Sequence, residues 1–275
     1  MRPTVSVVIP AHDEAGVIGA NLDALLAGTS PGEFDVIVVA NACTDGTARA
    51  AARPGVRVLE TSKPGKAGAL RLGDAACRVF PRVYQDADVR LDAASVRALA
   101  AAASRPGVLA CAPAPEWDLS GVGRVVRRVH RVHDRLIAPH RALAGVGVYA
   151  LAEEGHRRVF PLPEVISDDG YVDASFASAE RVVVTGARSV VRPARTVRAH
   201  LARRVRVRQG NRELARLGLP ARSLRAGALR DLLAAREVSI LDAACYLTVL
   251  ATDRALTSLR GERTRWGTDA SSRRE

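Results

Sequence analysis

The run Thr4-Val-Ser-Val-Val-Ile-Pro10, continuing into Ala11-His12-Asp13-Glu14, is almost entirely apolar until a proline breaks it and two carboxylates follow. A strand that is apolar on both faces belongs in the middle of a parallel sheet, where helices cover it from either side. Outward from this segment the same pattern repeats. Asp35 to Val39, Val56 to Glu60 and Val83 to Asp86 read as further strands, and Ala15 to Ala27, Thr44 to Ala52, Lys66 to Val79 and Ala93 to Ala103 as the helices between them. Strands alternating with helices predict an α/β fold, a mostly parallel sheet flanked by helices.

Downstream the periodicity loosens. A proline-containing strand follows Arg105, then a basic helix around Val122 to Ile137 and an apolar run from Ala144 to Leu151. Asp168 and Asp169 open a helix after the Pro161 to Ser167 loop, and Arg181 to Thr185 and Ser189 to Arg192 read as later strands. From Thr196 the pattern is helical, ending in a polar tail, Thr268 to Glu275. The predicted division is a catalytic domain over residues 1–195 and a C-terminal helical extension over 196–275 that carries a basic segment.

The 275 residues suffice for one such core. A formal charge of +12 points to anionic partners, although all basic residues except Lys63 and Lys66 are arginine, so chain-wide bias contributes. Cys43, Cys77, Cys111 and Cys245 are scattered without a C-x-x-C pair, which argues against a zinc ribbon or a redox motif. The first residues are too short and β-branched for the apolar part of a signal peptide, and no run reaches the ~18 residues of a spanning helix. The expected location is cytoplasmic; the Val238 to Ala251 segment reads as buried in the C-terminal helical part, with peripheral docking at the inner face of the membrane as the alternative.

Four stations stand at the C-terminal ends of the predicted strands, where an open α/β sheet places its ligand crevice. Pro10-Ala11-His12-Asp13-Glu14 is the first, though its acids also suit the positive end of the following helix. Ala40-Asn41-Ala42-Cys43-Thr44-Asp45-Gly46-Thr47 is the second, with Thr44 or Asp45 able to cap a helix instead. The third, Lys63-Pro64-Gly65-Lys66-Ala67-Gly68, offers charge and open N–H groups to a diphosphate without matching the P-loop spacing. Tyr84-Gln85-Asp86-Ala87-Asp88 is the sharpest. In an extended segment, i and i+2 share a face, so Asp86 and Asp88 can address one hard divalent cation; the plainer reading is an Asp-rich turn.

In this order the stations resemble glycosyltransferase family 2, from Val-Val-Ile-Pro-Ala-x-x-Glu through Thr-Asp-Gly-Thr to Asp-x-Asp. Asp168-Asp169 stands where that family carries its acidic pair, and Arg203 to Arg212 where many members carry a basic segment. The resemblance implies a Rossmann-like GT-A fold and inverting transfer of one sugar from a nucleoside-diphosphate sugar to an acceptor hydroxyl, in the setting of cell-envelope glycans or glycolipids. Pro10, Ala11, Glu14, Asn41 and Asp45 would line the nucleoside pocket, with Lys66, Asp86, Asp168 and Arg208 on the rest of the donor. Asp88 would hold Mg²⁺ or Mn²⁺, and Asp169 would be the general base. The acceptor, a glycan, a lipid-linked group or a small molecule, is not specified.

Two departures bear on specificity. Ala40-Asn41 replaces the family's Asp-Asp pair, which leaves the donor base open, and Arg208-Gln209-Gly210-Asn211-Arg212 lacks the tryptophan of Gln-x-x-Arg-Trp, which favours single-sugar transfer. Gly145-Val-Gly147-Val-Tyr149-Ala150 matches a dinucleotide fingerprint but continues as a strand instead of opening a helix. His130 and His133 have helical metal-ligand spacing, yet Arg127, Arg128 and Arg131 surround them, and a solvated basic helix is the expectation. The basic stretch 195–230 lacks the aromatics that single-stranded nucleic acid would require, so no nucleic-acid partner is expected. The alternatives to sugar transfer are a basic nucleic-acid-binding protein and a GT-A-like domain that binds a nucleotide sugar without transferring it.

Overall fold

A computed structural model describes residues 2–219 and 225–259; the predicted Thr268 to Glu275 tail lies outside them. The chain begins β1 (Val5–Ala11), α1 (Ile18–Leu26), β2 (Phe34–Asn41), α2 (Thr47–Ala51), β3 (Val56–Thr61), α3 (Lys66–Ala75) and β4 (Arg82–Gln85). It continues β5 (Arg90–Leu91), α4 (Ala93–Ala103), β6 (Ala110–Trp117), α5 (Arg124–Ile137), β7 (Val148–Leu151), α6 (Glu153–Val159), α7 (Asp168–Ala174) and β8 (Arg181–Val191). Three helices follow, α8 (Val197–Arg216), α9 (Ala228–Ala234) and α10 (Ile240–Leu259).

The strands form one sheet in the order β3-β2-β1-β4-β7-β6-β8-β5. β3, β2, β1 and β4 run parallel, β7 is antiparallel to both β4 and β6, and β8 returns parallel to β6. The two strands read separately at Arg181 to Thr185 and Ser189 to Arg192 are a single β8, whose pairing with β6 shifts register between Pro113 and Ala114. That irregularity joins the two predicted pieces.

Contacts divide the chain into two units. The first comprises the residues up to Trp117 together with Ala142–Val191; the second joins Asp118–Arg141 to the chain from Arg192 onward. The basic helix α5, placed by sequence within the 1–195 domain, therefore belongs with the C-terminal helices.

In the first unit, β1 divides its side chains between two cores, as a central strand must. Val5, Val7 and Ile9 pack with Ile18, Leu22 and Leu25 of α1 and Val96 and Leu99 of α4, while Val8 packs with Ile37, Val39, Leu70 and Tyr84. α3 lies so close to the sheet that a Cβ on Gly73 would stand 2.5 Å from Val8 Cγ1. Buried Asp35 on β2 is satisfied by Ser6 Oγ at 2.9 Å, Arg57 at 2.6 Å and the Arg78 N–H at 2.9 Å. α4 is capped by the Asp92 carboxylate, which accepts from Ser95 N at 2.7 Å.

In the second unit, Val129, Val132 and Leu136 of α5 pack against Val238, Tyr246 and Val249. This apolar face corrects the reading of a wholly solvated helix. His130 and His133 are partly buried, and among the described residues neither joins a group of three metal-ligating side chains. Burial, then Arg204, the neighbouring histidines and Arg203, push His133 down to about 4; burial with Arg204 and Arg203 does the same to His200.

Because these folded pKa values lie below the usual 6.5, the fold favours neutral imidazoles. Their contribution is complete above about pH 6.5 and is lost as pH falls toward 4. Thermal melts should show wild type losing more stability over that window than His133→Phe; superimposable pH profiles would contradict it.

Candidate active site

The sheet register brings the stations together. Val8 pairs with Tyr84 and Ala11 with Ala40, so β1, β2 and β4 end along one edge. β7 completes the edge from the other direction. Gln85 pairs with Val148, which sets Gly147 beside Asp86, and the Asp86 N–H donates to the Gly147 carbonyl at 2.8 Å. Gly147 has φ +69°, and a Cβ there would stand 2.5 Å from Val89 Cγ2. Glycine is thus required by both backbone and space.

Lys66, at the first position of α3, is the centre of charge. Its Nζ lies 2.6 Å from Asp86 Oδ1 and 2.8 Å from Asp168 Oδ1. Burial pulls this ammonium toward neutrality, but Asp168, Asp86 and Asp169 together outweigh it and hold its pKa above the ordinary lysine range. Burial likewise raises Asp168, which is only 3% exposed; Lys66 opposes that rise, Asp169 and Asp86 add to it, and the result is about 6. Three carboxylates around one ammonium leave net negative charge facing the cleft lined by Pro10, Leu70, Gln85, Asp86, Tyr149 and Asp169.

The Asp86-Ala87-Asp88 segment differs from its predicted form. β4 ends at Gln85, and the Val89 N–H donates to the Asp86 carbonyl at 3.1 Å, closing a turn. The two carboxylates are presented by this turn and not by the alternation of a strand. All-carboxylate donors suit a hard cation such as Mg²⁺ or Mn²⁺. The uncompensated charge beside Asp86 meets the same requirement.

Asp169 is half-buried and firmly oriented. Its Oδ2 accepts from Gly145 N at 2.7 Å, and its Oδ1 from Gly170 N at 2.7 Å and Ser167 Oγ at 3.0 Å. A carboxylate offers about four lone-pair positions, so these three donors leave one for a hydroxyl in the cleft.

The first two stations are laced into each other. Thr47 Oγ1 accepts from the Glu14 N–H at 2.7 Å, and Asp45 Oδ2 accepts from the Ala15 N–H at 3.1 Å. Burial would raise the Asp45 pKa, but hydrogen bonds from Thr47 and Ala15 prevail and lower it. Asp45 therefore ties the two loops together. Ala11, Glu14 and Asn41 are buried, and Asn41 Oδ1 has no hydrogen-bond partner among the described residues.

Arg208 lies in the other unit, where it and Arg204 both engage the fully buried Asp253. Sequence reading missed Gln85 and Tyr149, whose Oε1 and hydroxyl are buried at the cleft without hydrogen-bond partners among the described residues. Tyr149 stacks on Tyr84 at 5.0 Å between centroids, and the Tyr84 hydroxyl donates to Asp74 at 2.6 Å. The only signal for Tyr149 was its place in the Gly145 to Ala150 run.

The family model for glycosyl transferase family 2 matches residues 6–142, which contain the first four stations. The chain belongs to this family. No curated protein sequence matches it significantly. Among solved structures, a mannosyltransferase from Pyrobaculum calidifontis, in complex with GDP-Man and Mn²⁺, is similar over 96% of this chain and 77% of its own, at 21% identity and a TM-score of 0.57. Glucosyl-3-phosphoglycerate synthase from Mycobacterium tuberculosis, in complex with Mn²⁺, UDP-Glc and phosphoglyceric acid, is similar over 80% of this chain and 81% of its own, at 23% identity and 0.56. These likenesses establish the GT-A fold for this glycosyltransferase, including the C-terminal helices.

Proposed function

We propose that this family 2 transferase moves one sugar, with inversion, from a nucleoside-diphosphate sugar to an acceptor hydroxyl, and that it depends on Mg²⁺ or Mn²⁺. The carrying observation is the excess of carboxylate around Lys66 at the edge where the parallel strands end. Both solved neighbours were obtained with a nucleotide sugar and Mn²⁺, which supports the reading.

Pro10, Ala11, Glu14 and Asn41 would receive the nucleoside, with Asp45 fixing their loops. Asp86 and Asp88 would hold the cation, which supplies charge stabilisation for the departing diphosphate. Lys66 fixes Asp86 and Asp168 in place. Asp169, half-buried where Asp168 is buried, takes the proton of the acceptor hydroxyl as the oxygen attacks the anomeric carbon. The sugar–phosphate bond breaks as the new glycosidic bond forms.

A panel of nucleotide sugars, tested by thermal shift with and without Mn²⁺, checks the donor site. One donor should stabilise wild type only with the metal and fail to stabilise Asp88→Ala. Absence of any stabilisation of wild type would sink the proposal.

No helix among the described residues is long and apolar enough to cross a membrane. α10 nevertheless exposes Ile240 at 83%, Leu241 at 55% and Leu247 at 51%, while its Asp242 and Asp253 are buried. An exposed apolar patch of this kind, with the exposed Arg254 two turns beyond Leu247 on the same face, supports peripheral membrane contact and, with it, a lipid-linked acceptor. Wild type should co-float with anionic vesicles and lose this on Ile240→Glu/Leu247→Glu; equal flotation would remove the membrane reading.

A further inference from the structure

His12, Asp13 and Cys43, on the loops following β1 and β2, stand apart from the carboxylates already assigned. Nδ1, Nε2, carboxylate oxygen and thiol are all represented in this small space, and one ligand atom from each residue lies within 4.8 Å of the other two. His12 Nδ1 is 2.7 Å from the Asn41 carbonyl oxygen. A carbonyl can only accept, so Nδ1 carries the proton and Nε2 presents the lone pair. A backbone carbonyl holding the far nitrogen of the ring is the usual support behind a metal-bound histidine.

Asp13 is similarly fixed. Its Oδ1 accepts from Thr44 N at 2.7 Å and its Oδ2 from Thr44 Oγ1 at 3.1 Å, which locks the β1 loop to the β2 loop. The same Oδ2 lies 3.9 Å from His12 Nε2. Cys43 Sγ sits against the Ala11 carbonyl at 3.4 Å and completes the triangle.

We propose that His12 Nε2, an Asp13 carboxylate oxygen and Cys43 Sγ bind Zn²⁺, with a fourth position left to water. Nitrogen, oxygen and sulfur ligands in one tetrahedron are what zinc accepts, and bond lengths near 2.0–2.3 Å place such ligands about 3.3–3.6 Å apart. The ligand atoms, which lie within 4.8 Å of one another, must close by up to about 1.5 Å on binding, and the two loops must draw together to do so. On binding, the Cys43 S–H bond breaks, its proton passes to solvent and a sulfur–zinc bond forms. Imidazole and carboxylate contribute lone pairs without losing a proton.

The mixed ligand set separates this site from the all-oxygen set at Asp86 and Asp88, because the thiolate favours softer, thiophilic ions. It also sits on the loops that carry Glu14 and Asn41. Zinc would therefore staple those loops whether or not they receive a nucleoside.

The test uses the metal alone on the full chain carrying Asp88→Ala, with Co²⁺ as the spectroscopic substitute for Zn²⁺. A near-ultraviolet sulfur-to-cobalt charge-transfer band is expected, abolished by adding Cys43→Ser and by competing Zn²⁺. Calorimetry in buffers of different ionisation enthalpy should show release of one proton per Zn²⁺, and His12→Ala should weaken binding about 10-fold to 100-fold or more. Zn²⁺ should also protect Cys43 from alkylation, read peptide by peptide; Cys77 and Cys111, raised by burial to about 12, serve as slow internal controls. Melting curves without metal establish that the variants fold. A missing cobalt–thiolate band in folded protein, or zinc binding undiminished by both Cys43→Ser and His12→Ala, would overturn the site and leave the three groups holding only a proton.

Discussion

Asp169→Asn should lower transferase turnover by about 10²-fold to 10⁴-fold, the range for removing a positioned general base. The substitution keeps size and the ability to accept from Gly145 N or Gly170 N, but it cannot take the acceptor's proton. Donor affinity should stay within about twofold, because an interaction made only in the transition state appears in kcat and not in donor binding. Asp168→Asn should behave differently, since Asp168 is buried against Lys66 and acts through it. Its effect belongs mainly to stability. Turnover of Asp169→Asn within threefold of wild type would remove Asp169 from the base role, and loss of donor binding in step with turnover would make it a donor contact instead.

The parts of the fold that were legible in sequence share a physical cause. Val5 to Ile9 and Asp35 to Val39 are buried on both faces, so their composition alone announced central strands. Asp168-Asp169 was visible because a loop with prolines precedes it and a helix follows. What sequence could not show was pairing across the fold. Lys66 reads naturally as a phosphate ligand; its partnership with Asp86 and Asp168 exists only because β4 lies beside β1 and α7 returns to the same edge. The role of Gly147 depends likewise on the antiparallel register of β4 and β7.

Turns and helix partners were obscured for related reasons. The strand pattern before Asp86 invited extrapolation of its alternation through Asp88, although a single hydrogen bond from Val89 ends it. α5 is continuous in sequence with strands on both sides, yet its Val129, Val132 and Leu136 find their partners among helices far later in the chain. Its arginines suggested a solvent face, and Arg128 and Arg131, half-buried and exposed, do reach solvent while pairing with the buried Asp242. The apolar face between them had no local signal of what would cover it.

Lys66→Met should cost about 3–5 kcal/mol of unfolding free energy at pH 8, the range for breaking a buried ion pair by removing one partner. Methionine fills much of the lysine stem's volume, so the loss is electrostatic: Asp168 remains buried beside Asp169 and Asp86 with no cation between them. The sign of the pH dependence follows from the raised Asp168 pKa. A carboxyl whose folded pKa exceeds its unfolded value favours folding when protonated, fully below about 3.8, and that contribution is lost as pH rises through the folded pKa of about 6. Removing Lys66 raises the folded value further, so the gap between variant and wild type should widen from pH 4 to pH 8. Adding Asp168→Asn to Lys66→Met should recover a large part of the loss at pH 8 and little at pH 4. Urea denaturation at the two pH values reads all three chains. A gap independent of pH would assign the role of Lys66 to packing, whereas failure of Asp168→Asn to rescue at pH 8 would place the uncompensated charge on Asp86.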